Sequence, residues 1–184
     1  MADDAYRPDR EIGIAGVVII ATNACSVVLV PPMRSDPIKY EIDKATGAIY
    51  VDRFMSTAMR YPCSYGYIPQ TLAPDGDPAD VLVIAPFQLQ PGVVVICRAE
   101  GLLRMEDEHG QDDKILAVPI SRLTRLYDNI NEPSDLSEVL RGQIAHFFAH
   151  YKDLEPGKYV RVGEYESATM ARKEMAGTVV HRST

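Results

Sequence analysis

The chain has 184 residues, of which 46% are hydrophobic and 24% charged, and its formal net charge is −7. That size and apolar content suit one folded domain and argue against intrinsic disorder. The acidity is a poor match for a protein that grips nucleic acid by its phosphates, a task for clustered Lys and Arg; an acidic chain that binds an anion needs metal ions between the two.

In chain order, residues 12–30 come first, because they hold no charged side chain over nearly the ~20 residues of a membrane-spanning helix. Asn23 and Ser26 inside the stretch, its Val/Ile richness and the Pro31-Pro32 stop point instead to one or two buried strands. The leader before it sets Asp3, Asp4, Asp9 and Glu11 against Arg7 and Arg10, whereas a signal peptide starts positive. Neither a membrane nor secretion is expected. Cys25, Cys63 and Cys97 are odd in number and lack a CxxC, so they read as reduced thiols of a cytoplasmic chain.

Residues 39–43 and 49–53 flank 44–48, with Gly47 placed to supply a positive φ, which predicts a hairpin. Residues 81–84 are a compact apolar run, Pro91-Gly92 turns into another at 93–97, and 115–118 is a third. Short strands at this spacing predict a closed or nearly closed barrel. From 134 or 135 to about 151, Leu136, Val139, Leu140, Ile144, Phe147, Phe148 and Tyr151 recur in steps of three and four, one face of an amphipathic helix. Asp135 and Glu138 would lie in its first turns. A second, shorter helix is predicted from 167 to about 176, stopping at Gly177. One mainly β domain over 1–184 results, a small barrel packed by two α-helices.

The densest chemical signal is Asp75-Gly76-Asp77-Pro78-Ala79-Asp80. Three carboxylates in six residues repel one another unless a cation sits among them. Gly76 and Pro78 fix the backbone, and Asp80 runs directly into a buried strand. The sixth and twelfth positions from Asp75 hold Asp80 and Pro86, not the Gly and Glu of an EF-hand. A second acidic segment spans 106–113; a four-residue loop at 108–111 would make Asp107 and Asp112 cross-strand neighbours, with Lys114 on the same face as Asp112. Lys39 and Glu41 share a face of the first hairpin strand, with Arg53 on its partner. Tyr61, Tyr65 and Tyr67 cluster nearby in sequence, and Tyr151-Lys152 ends the long helix.

Each feature alone has a bland reading as a solvated turn, a surface charge or a core tyrosine. Together they describe carboxylates for several Mg²⁺ ions, with Lys39, Arg53, Lys114, Lys152 and tyrosine hydroxyls for phosphate oxygens. Phosphoryl transfer needs mainly positioning and neutralisation, with a metal pair activating a water. No G-x-x-x-x-G-K-[ST] loop occurs, which excludes a P-loop nucleotidase.

The motif at 75–81 resembles the signature of the soluble family I inorganic pyrophosphatases of bacterial type. The likeness continues through Lys39-Tyr40-Glu41-Ile42-Asp43, Val51-Asp52-Arg53-Phe54, Tyr61-Pro62 with Tyr65-Gly66-Tyr67, Asp107/Asp112/Lys114, and the stretch 143–154. The resemblance implies a five-stranded OB-like barrel, usually in a hexamer, acting on pyrophosphate. It implies that Asp75, Asp80 and Asp107 ligate the first Mg²⁺, that Asp80 reaches the second, and that Asp77 is the general base. Asp107, Asp112 and Glu41 would serve substrate-bound metals, and Lys39, Arg53, Tyr65, Lys114, Tyr151 and Lys152 the phosphates. Residues 1–35 depart from the family: Val30-Pro31-Pro32 stands where a Glu, an apolar residue and Pro are usual. His146 and His150 lack the Glu after the first His that a zinc protease needs, and are expected at a subunit interface. Two rivals stay open. A non-enzymatic OB-like module would need stacking aromatics, but there is no Trp and only 4 Phe. A phosphatase of another phosphoanhydride, such as a nucleotide, would need a base pocket that the sequence does not display.

Overall fold

A computed structural model describes residues 24–30, 37–43 and 46–180 of the chain. Strand β1 (Ala24–Val30) alternates as a strand should, with Cys25, Val27 and Leu29 turned into the core. The expected buried strand is therefore found at 24–30, while 12–23 and the Pro31-Pro32 stop lie outside the described residues. β2 (Ile38–Ile42) and β3 (Ile49–Phe54) form the predicted hairpin as a separate two-stranded sheet, and Gly47 has φ +73°.

The remaining strands are β4 (Ser64–Tyr67), β5 (Asp80–Val83), β6 (Val94–Asp107), β7 (Gly110–Gln111), β8 (Lys114–Pro119) and β9 (Val160–Glu166). Pairing runs β1–β4–β5–β8–β6 and returns from β6 to β1, a ring of five strands. β9 adds to the far half of β6. The 14 residues of β6 would span about 46 Å if straight. Register shifts at Ala99/Gly101 and Leu103/Met105 mark where it bends. Gly66 is required where β4 lies against β1, because a Cβ there would stand 2.4 Å from the Val28 carbonyl oxygen.

Beyond Asp80 and Lys114 at their starts, β5 and β8 are apolar because both faces are covered. Val81, Val83, Ile115 and Ala117 fill the interior with Cys25, Val27 and Cys97. Leu82, Ile84, Leu116 and Val118 pack outward against Ile144, Phe147 and Phe148 of helix α1 (Glu138–His150). Helix α2 (Ala168–Gly177) contributes Ala171 and Met175 to the interior cluster.

Three details differ from the sequence expectation. The long helix starts at Glu138 rather than near 135, because Ser137 caps it by accepting from the Leu140 N–H at 3.2 Å. Asp135 instead belongs to a 3₁₀ turn, where its carboxylate accepts from the Asn131 and Glu132 N–H groups. Val139 is 71% exposed and is not on the buried face. Finally, Gly177 is the last helical residue rather than the stop beyond it, and Thr178 is the cap.

Candidate active site

β5 and β8 pair in parallel, with Asp80 opposite Lys114 at their starts. Parallel strands begin at the same end of a sheet, so the acidic loops that feed them meet there. β6 runs antiparallel to β8 and therefore ends where β8 starts, delivering Asp107 to the same place. The end of α1 reaches this region too, because the Lys152 ammonium donates to Asp107 Oδ2 at 2.8 Å. The β2–β3 hairpin forms the opposite wall. A cleft of about 530 Å³ lies between, and all twelve candidate residues line it: Asp75, Asp77, Asp80, Asp107, Asp112, Glu41, Lys39, Arg53, Tyr65, Lys114, Tyr151 and Lys152.

The first acidic loop is held by its own backbone. The Asp75 carboxylate accepts from the Asp77 N–H at 3.0 Å, Ala73 N–H donates to the Asp77 carbonyl at 2.7 Å, and Gly76 takes φ +89°. Thr71 Oγ1 closes its base by accepting from the Ala79 N–H at 2.8 Å. Asp75 and Asp77 are thereby exposed over the cleft while Asp80 is half-buried in the strand.

The second loop is tighter than expected. Asp107 faces Gly110, and Glu106 faces Gln111, so the turn has two residues, Glu108 and His109. Asp107 and Asp112 are consequently not cross-strand partners; the Asp112 N–H bonds the Met105 carbonyl at 2.9 Å. The Asp107 carboxylate accepts from the His109 N–H at 2.8 Å, which stabilises the short turn in place of the longer loop. Both carboxylates still face the cleft. Lys114 does share a face with Asp112, and its ammonium bonds Asp112 and, at 2.6 Å, Asp80.

Charge and burial shape these groups. Burial pushes the Asp112 carboxyl up to about 6 despite Lys114 beside it. Burial alone would lower the Lys114 ammonium, but the charges of Asp80 and Asp112 outweigh it and hold it above its usual value. Burial works against the Asp107 carboxylate, yet the Lys152 bond and the His109 N–H hold it below the usual range. Tyr65 and Tyr151 are raised by burial and stay neutral donors. Tyr151 also stacks on Phe147 at 5.3 Å, which fixes its ring.

On the hairpin wall, Lys39 bonds Glu41 at 2.8 Å and Asp52 at 3.3 Å. The Tyr50 hydroxyl donates to the other Glu41 oxygen at 2.7 Å. Arg53 pairs with Glu155 at 3.3 Å.

The sequence reading missed Asp52, Glu108 and Lys158, which also line the cleft. Glu108 shares the Lys152 ammonium at 3.1 Å. Asp52 adjoins Arg53 in a motif already noted, so its place was within reach; Lys158 carries no local signal. His146 and His150 are exposed on α1 and outside the cleft, their rings 4.5 Å apart and His150 Nδ1 2.9 Å from Asp153.

Eight carboxylates around one polar cleft are the donor set of hard divalent cations. Among the described residues no three of them converge as they stand on a single ion position. Lys114 and Lys152 lie between them and carry the compensating charge. The arrangement therefore fits Mg²⁺ by its chemistry and holds positive charge ready for an anion.

A family model described as inorganic pyrophosphatase matches residues 27–182. The chain is 58% identical over 152 residues to the inorganic pyrophosphatase of Escherichia coli K12, covering 83% of this chain and 86% of that one. It is 58% identical over 149 residues to that of Yersinia pestis, covering 81% and 85%. Among solved structures, an inorganic phosphatase from Anaplasma phagocytophilum superposes with a TM-score of 0.86 at 45% identity, over 90% of this chain and 96% of that one. An inorganic pyrophosphatase from Coxiella burnetii gives 0.82 at 47% identity, over 85% and 94%.

Proposed function

The chain belongs to the inorganic pyrophosphatase family and hydrolyses inorganic pyrophosphate to two phosphates, and we propose that it does so with Mg²⁺ held by the carboxylates of this cleft. The observation that carries the reading is the meeting of two acidic loops and two buried lysines at one end of the ring. Asp75, Asp80 and Asp107 would hold a first ion, Asp80 would also serve a second, and Asp107, Asp112 and Glu41 would hold further ions beside the substrate. When bound, these ions lower the pKa of an attacking water and neutralise a polyanionic substrate.

Asp77 takes the proton from that water, presented by the turn that Gly76 permits. The Lys114 and Lys152 ammonium groups exchange a carboxylate partner for a phosphate oxygen as substrate enters, joined by Lys39 and Arg53 from the hairpin wall. Tyr65 and Tyr151, kept neutral by burial, donate hydroxyl hydrogen bonds. The protein acts in the cytoplasm as a homo-oligomer, a hexamer by family resemblance, with His146 and His150 at a subunit contact and no nucleic-acid partner. Among the described residues no helix is long and apolar enough to cross a membrane.

The test is phosphate release from pyrophosphate, tripolyphosphate and ATP, each with Mg²⁺ and with chelator. Rapid release from pyrophosphate that stops in chelator is expected, with ATP a poor substrate. Equal rates without any divalent ion overturn the metal reading. Asp77→Asn separates the roles further: kcat should drop about 10²- to 10⁴-fold with Mg²⁺ affinity by calorimetry unchanged. If Mg²⁺ binding is lost and kcat returns at high metal, Asp77 is a ligand.

A further inference from the structure

Two of the three cysteines face each other inside the ring, and the hydrolysis uses neither. Cys25 on β1 and Cys97 on β6 are register partners in the antiparallel pair that closes the ring. They are 1% and 0% exposed and belong to the same interior cluster, so both side chains point to the same side of the sheet. The Leu29 N–H donates to the Val93 carbonyl, which marks that opposed pair as hydrogen-bonded. Stepping two residues at a time along β1 and β6 makes Cys25 and Cys97 a pair of the same type. Cα atoms at such positions lie about 5.5 Å apart, within the roughly 4.4–6.8 Å that disulfides span. Cys63 packs in the outer cluster, on the other face of the ring, and does not compete.

We propose that Cys25 and Cys97 are a modification site, where a hydroperoxide oxidant forms an intramolecular disulfide that staples the first strand to the ring. One thiolate attacks an oxygen of hydrogen peroxide; the O–O bond breaks, hydroxide leaves, and the sulfur becomes a sulfenic acid. The second thiol gives up its proton and attacks that sulfur, and the S–O bond breaks to release water. Two thiols and one peroxide thus yield one disulfide and two waters, with two electrons passing from sulfur to oxygen. Burial raises the Cys25 thiol to about 12 and, with Cys25 alongside, holds the Cys97 thiol well above its usual value, so the closed ring keeps both inert. Reaction therefore proceeds through brief openings of β1 that admit a molecule as small as peroxide, while larger disulfides find no room. The product must draw the Cβ atoms in to about 3.8 Å, which a small shift of β1 against β6 supplies.

The experiment incubates the full chain carrying Cys63→Ala with hydrogen peroxide, then unfolds it, alkylates it and reads intact mass and non-reduced peptides. The expected product is monomeric, lighter by two hydrogens, and takes up no alkylating reagent. Its peptides bearing Cys25 and Cys97 are joined, and dithiothreitol restores two alkylation sites. In Cys25→Val, which keeps an apolar side chain inside the ring, no joined peptide forms. The unsubstituted chain, mapped the same way, gives the same joined peptides with one alkylation site left, at Cys63, should Cys63→Ala fold poorly. Two alkylation sites retained after an exposure that consumes an exposed control thiol overturn the proposal. So do sulfinic acid at one cysteine without a cross-link, and cross-links only between molecules.

Discussion

Asp80, Asp107 and Lys114 stand on strands of the ring, whereas Lys39, Glu41 and Arg53 stand on a hairpin that pairs with no ring strand among the described residues. The exposures follow the construction. Lys114 is 2% exposed and Asp107 8%, while the Glu41 side chain is 42% exposed. Charges of the first kind cannot move away from one another and are poorly screened, so each is held only because its neighbours are charged oppositely. On the hairpin Glu41 is wetted by solvent and its pairs are weak and replaceable, while Lys39 at 28% and Arg53 at 26% side-chain exposure come close to Asp80 at 23%. One wall of the cleft thus supplies fixed geometry and the other adaptable charge. Buried carboxylates suit metal positioning, which tolerates little displacement, and a hairpin tied to the body through pairs such as Arg53–Glu155 suits closing on a substrate.

Lys114→Met is the harshest way to break this contrast. The methionine fills similar space but leaves Asp80 and Asp112 facing each other without their shared cation. Urea unfolding of the metal-free protein should show a loss of about 3–5 kcal/mol, because an uncompensated charge remains buried. Mg²⁺ should recover part of that loss by replacing the missing positive charge. A loss below 1 kcal/mol would mean the two carboxylates are not confined, and the ring-borne wall is no different from the hairpin.

Val30 tests the seam between the two regions. It is the last residue of β1 and the register partner of Tyr65, yet it lines the cleft near Lys39 and Glu41. Val30→Glu brings a carboxylate into a partly shielded place, worth about 1–2 kcal/mol against one neighbouring charge. The expected result is roughly a tenfold shift in the Mg²⁺ concentration for half-maximal activity, or a displaced pH optimum, while the unsubstituted enzyme is fully active. A change in stability alone would make Val30 an ordinary ring residue.

The ring-borne wall was also the more legible one in the sequence. Asp75, Asp77 and Asp80 declared themselves because backbone-fixing residues and a buried strand follow immediately, and 81–84 read as a core strand because both faces are covered. The hairpin read cleanly from turn chemistry at Gly47. What failed were features set by distant packing. β4 and β9 are short or half-exposed and gain strand character only from their partners. The turn after β6 was read two residues too long, because the Asp107 side chain bonding the His109 N–H leaves no periodic trace. Glu108 became visible as a cleft residue only when α1 brought Lys152 over it. The long run of β6 was masked by its bends, which break the alternation after Ala99.

The smallest expected effect sharpens the hairpin side. The Tyr50 hydroxyl and the Lys39 ammonium each hold one oxygen of Glu41, so the carboxylate is oriented from both sides although it is exposed. Removing the ammonium would change charge and geometry together, whereas Tyr50→Phe removes only the hydroxyl and keeps the ring. Because solvent can replace the lost hydrogen bond, Glu41 should stay in place most of the time and merely wander more. The predicted outcome is a KM for the magnesium–pyrophosphate complex raised two- to threefold, kcat within error of the parent, and an unchanged melting temperature. A fall in kcat of tenfold or more would place Glu41 among the rigid metal-holding groups, and the hairpin would then belong with the ring rather than opposite it. No change in KM, even at limiting Mg²⁺, would mean that Lys39 alone orients the carboxylate, narrowing the adaptable wall to Lys39 and Arg53.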